Sequence, residues 1–180
     1  MTVASSMDDE FAPQLEVLDE QHEFADQQLS GLGATDTPKI LMLSRHGSPL
    51  SVYDRLTGTA PESKMSLPAW IGIKMQATVS ELYTATTGIR VRADRRHHRH
   101  PQLDWLVCHL DYRELGAGGS RRLVECKTRA YMKGWGEDGS QQIPVDIWVQ
   151  CQHEMAVTGA DVCSVATLFG HHTFRVYPIQ

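Results

Sequence analysis

The run Leu123-Val124-Glu125-Cys126-Lys127-Thr128 sets a carboxylate and an ammonium two residues apart. Side chains alternate between the faces of a strand, so Glu125 and Lys127 project from one face while Val124, Cys126 and Thr128 project from the other. Upstream, Leu103 to Leu110 reads as a second strand. Its end, Cys108-His109-Leu110-Asp111-Tyr112, can lie antiparallel to the first and bring Asp111 alongside Glu125. Two carboxylates a few ångströms apart repel unless a cation sits between them. A hard divalent ion such as Mg²⁺ or Mn²⁺ suits two carboxylates and a backbone carbonyl, keeping its other positions for water and a phosphate oxygen. Lys127 can then orient or help deprotonate the attacking water, its pKa lowered by burial or by the metal. The reaction class that follows is phosphodiester hydrolysis. An acid-x-Lys in a strand is equally an ordinary surface pair, so the elements around it carry the decision.

Those elements read as a mixed α/β domain with helices packed on a central sheet. Residues 1–9 read as a tail and Phe11 to Leu29 as an acidic amphipathic helix. The stretch Gly31-Leu32-Gly33-Ala34-Thr35-Asp36 reads as a tight turn opening a short helix, with Thr35 or Asp36 at its N-cap and Ile40, Leu41 and Leu43 inward. Pro49 fits the first turn of a second short helix that ends at Gly58. From Leu67 to Thr87 the apolar residues Ile71, Met75, Val79 and Leu82 recur at helical spacing, and Gly88 closes the helix. Ile89 to Ala93 is extended. The runs Leu103 to Leu110 and Arg122 to Thr128 then form a hairpin or meander around Gly116-Ala117-Gly118-Gly119. Arg129 to Ile143 is a loop whose segment Trp135-Gly136-Glu137-Asp138-Gly139 reads as mobile, either covering a substrate or simply connecting. Pro144 begins a helix ending at Gly159, with Ile147, Trp148, Cys151 and Met155 on one side and Gln150, His153, Glu154 and Val157 on another. Val162 to Phe169 and Thr173 to Ile179 close the chain as strands. The division is an acidic N-terminal tail and helix, residues 1–28, followed by one domain, residues 29–180.

A chain of 180 residues supports one domain with a hydrophobic core. No apolar run approaches the roughly 20 residues that cross a bilayer, and the acidic N-terminus lacks the basic and apolar regions of a signal peptide, so the expectation is a cytoplasmic protein away from membranes. Cys108, Cys126, Cys151 and Cys163 stand far apart and read as buried, reduced thiols. The net charge of -5 argues at first sight against a nucleic-acid partner. Yet nine of the 22 acidic residues and none of the 17 basic ones lie in residues 1–36, which leaves the remainder at +4. Its densest basic stretch runs from Arg90 to His100, where Arg95, Arg96 and Arg99 are candidate DNA-phosphate contacts or part of a solvated loop. His97, His98 and His100 in that stretch lack zinc-ligand spacing.

Asp111, then Glu125-Cys126-Lys127 after a hairpin-sized gap, then a helix carrying Gln150, resembles the PD-(D/E)XK nuclease superfamily. More narrowly, the chain resembles the YqaJ-like viral recombinase family, which includes lambda exonuclease and relatives of the RecB nuclease domain. The likeness runs from about Leu29 to Tyr177 and takes in Gly33-Ala34-Thr35-Asp36, Ser48-Pro49-Leu50, the helix end Thr87-Gly88, His100-Pro101 and, most fully, Val149-Gln150-Cys151-Gln152-His153-Glu154-Met155-Ala156-Val157-Thr158-Gly159. It implies an αβββαβ core, a mixed central sheet flanked by helices. It also implies a magnesium- or manganese-dependent deoxyribonuclease of phage-type recombination, an exonuclease rather than an endonuclease. The metal ligands would be Asp111, Glu125 and the backbone carbonyl of Cys126, with Gln76 a further candidate. Lys127 would stand beside the attacking water, and Gln150 would support the site from its helix. Thr35 stands where family members place a hydroxyl near a DNA phosphate, and Gly33 lies in the turn that offers backbone N–H groups to that anion. The implied partners are DNA and a single-strand annealing protein, and the family allows a homo-oligomer.

The chain departs from the family pattern at three positions. Gln76 occupies a helix position where the family commonly has Glu, so it brings an amide oxygen and no charge, which implies weaker metal binding. Gln28 replaces an arginine of lambda exonuclease and His109 a hydroxyl, changes that tell against a preference for 5′-phosphate ends. Two competing readings are a catalytically weak DNA-binding recombination module and an iron–sulfur RecB-like nuclease of CRISPR adaptation.

Overall fold

Serine and glycine punctuate the helices. The computed structural model describes residues 31–61, 65–116 and 121–180. The acidic tail and helix expected over residues 1–28, and the turn residues Ala117 to Gly119, lie outside them. Helix α1 (Thr37–Ile40) is a single turn. Helix α2 (Pro49–Thr57) opens on a capping box: the Ser48 hydroxyl accepts from the Ser51 N–H at 3.3 Å and the Ser51 hydroxyl from the Ser48 N–H at 2.8 Å. Helix α3 (Leu67–Thr87) is capped by Ser66, and a fourth helix, α4, spans Val145–Thr158. Gly58, Gly88 and Gly159 end α2, α3 and α4 in the left-handed conformation, which a residue with a Cβ adopts only at a cost.

The main sheet has the order β1-β4-β5-β6-β7, from β1 (Val91–Ala93), β4 (Tyr112–Glu114), β5 (Arg122–Arg129), β6 (Val162–Phe169) and β7 (Thr173–Ile179). Strands β5 and β6 are parallel and α4 is the crossover between them; the other pairs are antiparallel. Read in sequence, α3, β1, β4, β5, α4 and β6 give the αβββαβ order. Alternation on β5 and β6 splits the core in two. On one face Val79 and Tyr83 of α3 pack on Val124, Cys126, Ala166 and Leu168. On the other, Ile147, Cys151 and Met155 of α4 pack on Leu123, Cys163, Val165 and Phe169. Fully buried valines such as Val79 and Val165 contribute about 1.5–3 kcal/mol each.

Three expectations are corrected. Leu103 to Leu110 is not one strand. Only Val107–Cys108 (β3) is extended, and it pairs with His98–Arg99 (β2) in a separate ribbon. The reason is local: the Leu106 N–H closes a turn on the Leu103 carbonyl, and the His100 ring accepts from the N–H groups of Gln102 and Leu103. The antiparallel partner of β5 is instead Tyr112–Glu114. Ile40, Leu41 and Leu43 point outward, because α1 is held by other groups: Pro38 is buried, and buried Asp36 pairs with Arg55 and Lys39. The Trp135 to Gly139 loop is anchored. Trp135 packs against Phe169 and Tyr177, the Gly136 carbonyl accepts from Arg175 and from the Tyr177 hydroxyl, and the loop bonds Val176 of β7 through Gly139 and Asp138.

Asp94, just past β1, ties the ribbon to the main sheet. Its carboxylate is buried and accepts from Arg96 twice at 2.9 Å, from Arg113 at 2.6 Å and from His98 at 3.0 Å. The Arg96 bonds, with help from Arg113, outweigh the burial penalty and hold this carboxyl far below the usual range. A depressed carboxyl contributes stability above its unfolded pKa of about 4 that is lost as pH falls below it. Asp94→Asn should therefore cost about 2 kcal/mol in urea unfolding at neutral pH, the scale of hydrogen bonds to a charged group. The deficit should shrink on acidification below about pH 4; a deficit independent of pH would contradict this assignment.

Candidate active site

The register of β4 on β5 pairs Tyr112 with Val124 and Arg113 with Leu123. Carried on by one residue, it sets Asp111 opposite Glu125, just where β4 begins and β5 runs on without it. The Asp111 carboxylate accepts from the Cys126 N–H at 2.9 Å and from the Gln76 side-chain amide at 2.7 Å. Glu125 Oε1 accepts from Lys127 Nζ at 2.6 Å and from Gln150 Nε2 at 2.7 Å. Lys127 Nζ also donates to Gln150 Oε1 at 3.1 Å, and Gln150 Nε2 to Glu154 Oε1 at 2.9 Å. Asp111, Glu125, Lys127, Gln150 and Gln76 thus come together. β5 supplies the middle of the cluster, α3 delivers Gln76 from one face of the sheet and α4 delivers Gln150 from the other.

Burial and the adjacent Glu125 carboxylate push the Asp111 carboxyl up to about 8, against the pull of Lys127 and the Cys126 N–H. Glu154, which is buried, is likewise held well above the ordinary carboxylate range by desolvation and by Glu125. Burial alone does not lower the Lys127 pKa as expected. Burial works against its charged form, but Glu125 and Asp111 outweigh burial and hold the ammonium above its ordinary value.

The donor set fits a hard divalent cation. Two carboxyl groups are crowded together, one of them forced toward its protonated form. In an extended strand a residue's N–H and C=O point the same way, so the Cys126 carbonyl also faces Asp111. Among the described residues no three His, Cys, Asp or Glu side chains converge as a metal set, so a cation held by Asp111 and Glu125 would need a backbone carbonyl and water to complete its shell. Gln76 reaches the cluster with its amide nitrogen, a donor, turned to Asp111. It can ligate only after that amide turns over. The cysteines do not form a set, because Cys126 lies on the α3 face and Cys108, Cys151 and Cys163 on the α4 face. The histidines of the basic stretch also diverge: His97 stacks on His109, His98 bonds Asp94, and His100 accepts from backbone N–H groups.

Of the residues expected to meet phosphate, Arg95 and Arg96 line one cleft and the others lie apart from it. Thr35 is exposed ahead of α1. The Gly33 N–H is taken by the Asp36 carboxylate at 3.0 Å, which corrects its assignment to an external anion: the turn carries its own. Arg96 forks onto Asp94, Arg99 donates to the Asp104 carbonyl, and Arg95 is exposed. Sequence reasoning gave no role to Glu154, although its place one helical turn after Gln150 was the available signal. It also gave none to Asp94 and Arg113, whose pairing is long-range, or to His153. The buried His153 ring donates from Nε2 to the Val107 carbonyl at 2.9 Å and contacts the Thr37 hydroxyl through Nδ1 at 2.6 Å, fastening α1 and β3 to α4.

The raised Asp111 pKa has a measurable consequence for the metal-free protein. The folded state keeps a proton that the unfolded chain releases above pH about 4, so stability declines as pH rises from there to about 8. Asp111→Asn cannot ionise. In thermal melts with EDTA its advantage over wild type should be small near pH 5 and grow toward pH 8; parallel curves would remove the carboxyl pair from the account.

The chain is 28% identical over 153 residues to the uncharacterized protein YqaJ of Bacillus subtilis (strain 168), covering 82% of this chain and 46% of that relative. It therefore spans less than half of the relative's length. Its fold matches the crystal structure of the alkaline exonuclease LHK-Exo from Laribacter hongkongensis, with a TM-score of 0.60 at 16% identity over 88% of this chain and 81% of the other. The same enzyme in complex with dAMP matches with a TM-score of 0.58 at 17% identity, over 89% and 81%. These likenesses establish the PD-(D/E)XK-like fold. The YqaJ-like viral recombinase domain matches residues 23–161, and the chain belongs to that family.

Proposed function

We propose that this chain is a magnesium- or manganese-dependent deoxyribonuclease of phage-type recombination, acting as an exonuclease. The observation that carries the proposal is the joining of Asp111, Glu125 and Lys127 in one hydrogen-bonded cluster on the open stretch of β5. Family membership and the likeness in fold to an alkaline exonuclease support it. A bound divalent cation would polarise the phosphoryl group and offset charge on the leaving oxygen. Asp111, Glu125 and the Cys126 carbonyl are the oxygens that would hold it. Lys127 has three N–H donors and spends two on Glu125 and Gln150, which leaves one for a water or a phosphate oxygen. As an ammonium it would orient that water and oppose developing negative charge. Gln150 keeps its amide oxygen toward Lys127 because its nitrogen is forked between Glu125 and Glu154. DNA is the proposed substrate and a single-strand annealing protein the proposed partner.

The donor face of Gln76 favours a second reading, a recombination module that binds DNA and cuts poorly. A nuclease assay on linear duplex and single-stranded DNA with Mg²⁺ or Mn²⁺ separates the two. Asp111→Ala, Glu125→Gln and Lys127→Ala should each lower cleavage at least about 100-fold with the fold intact. Wild-type binding without metal-dependent cleavage would select the second reading, and opening of closed circular DNA would exclude a strict exonuclease. Gln76→Glu should tighten Mn²⁺ binding in calorimetry on the order of tenfold by adding a charged ligand; an unaltered affinity would take Gln76 out of the metal shell.

A further inference from the structure

Next to Asp111, at the outer edge of the sheet, four arginines share one concavity. An open cleft of about 280 Å³ is lined by Arg92, Ala93, Asp94, Arg95, Arg96 and Arg113. Its single acid, Asp94, is buried and committed to Arg96, Arg113 and His98, so the lining side chains carry an excess of three positive charges. Arg92 and Arg95 are exposed, and among the described residues neither meets a carboxylate. Asp94 fixes its two guanidinium partners without exhausting them: Arg113 donates through Nε and keeps both Nη groups. The cleft is also tied to the candidate active site, because the Asp94 N–H donates to the Asp111 carbonyl at 3.1 Å.

Four like charges in a small hollow repel one another, and such a hollow focuses potential on an anion. Guanidinium forks match the paired oxygens of phosphate. None of the six lining residues is aromatic, so no ring there offers a base a stacking platform. We propose that this cleft binds a backbone phosphate of the DNA strand presented to Asp111 and Glu125, with Arg92, Arg95 and Arg113 donating to it. The polymer's identity rests on the nuclease reading above; the phosphate chemistry does not.

The test uses the full chain in EDTA, so that no cleavage is needed, and follows anisotropy of a dye-labelled oligonucleotide without terminal phosphates across about 50–200 mM salt. Arg92→Ala plus Arg95→Ala should weaken binding at least about tenfold and lower the log–log salt slope by about one per arginine. Arg121→Ala, whose guanidinium is held by the Gly159 carbonyl and Asp161 and does not line the cleft, should leave the slope unchanged. Binding by the double variant within twofold of wild type, or a loss matched by Arg121→Ala, would overturn the proposal. So would an effect confined to an oligonucleotide bearing a terminal phosphate, since the cleft would then read a strand end. Inorganic phosphate alone should raise the melting temperature of wild type and not of the double variant; equal shifts would overturn it. Phosphate stabilisation without any oligonucleotide binding would leave an anion site and sink the DNA reading instead.

Discussion

Two carboxyl groups forced together beside a strand are costly, and much of this structure is arranged around keeping Asp111 and Glu125 in that position. A carboxylate pair in a half-buried setting relaxes by taking up a proton, by separating or by finding positive partners. Here separation is blocked, since Glu125 is buried on the central strand and Asp111 is pinned by the Cys126 N–H. Hydrogen-bond donors come from every side: a neutral amide from α3, an ammonium from β5 itself and a neutral amide from α4. The topology explains the supply. Parallel β5 and β6 require a long crossover, and that crossover is α4, which carries Gln150. The brevity of β4 leaves the far half of β5 unpaired on one side, and the opening is where Asp111 sits.

The cost falls on the metal-free fold, and the remaining structure offsets it. Residues away from the cluster are packed or paired with few concessions: Asp36 is met by Arg55 and Lys39, Glu114 by the Tyr83 hydroxyl at 2.6 Å, and Asp94 by three cations or ring donors. Removing one partner of a buried ion pair is strongly destabilising, because it leaves the other charge uncompensated. The cluster around Glu125 is the exception, with Glu125 and Glu154 sharing one amide nitrogen.

Much of this was legible in the sequence, for physical reasons that differ from residue to residue. Gly58, Gly88 and Gly159 announced helix ends because only glycine enters the left-handed region freely. The two-residue spacing of Glu125 and Lys127 fixed their shared face through strand alternation alone. Pairing partners were harder. The Leu103 to Leu110 run is apolar enough for a strand, but a turn at Leu106 and a ring acceptor at His100 compete with it locally. The Gly33 N–H looked available to an external anion, and only the folded turn reveals that Asp36 fills it. The direction of the Lys127 shift depended on two acids at once, one brought from 16 residues upstream in the chain, which no local pattern encodes. Net charge is a weak guide to anion binding for a related reason: it sums over the whole chain, while screening limits an exposed anion to the charges within roughly 10 Å.

The loop that leaves β5 also closes the far margin of the sheet. Asp138 and Gly139 bond the outward N–H and C=O of Val176, and Trp135 buries its ring beneath them. An outermost strand with bare peptide groups is a template on which a neighbouring molecule can add a strand of its own. With Val176 already engaged and the opposite margin reduced to the three residues of β1, the described residues of the main sheet offer a crowded copy of this chain little ladder to extend at either margin.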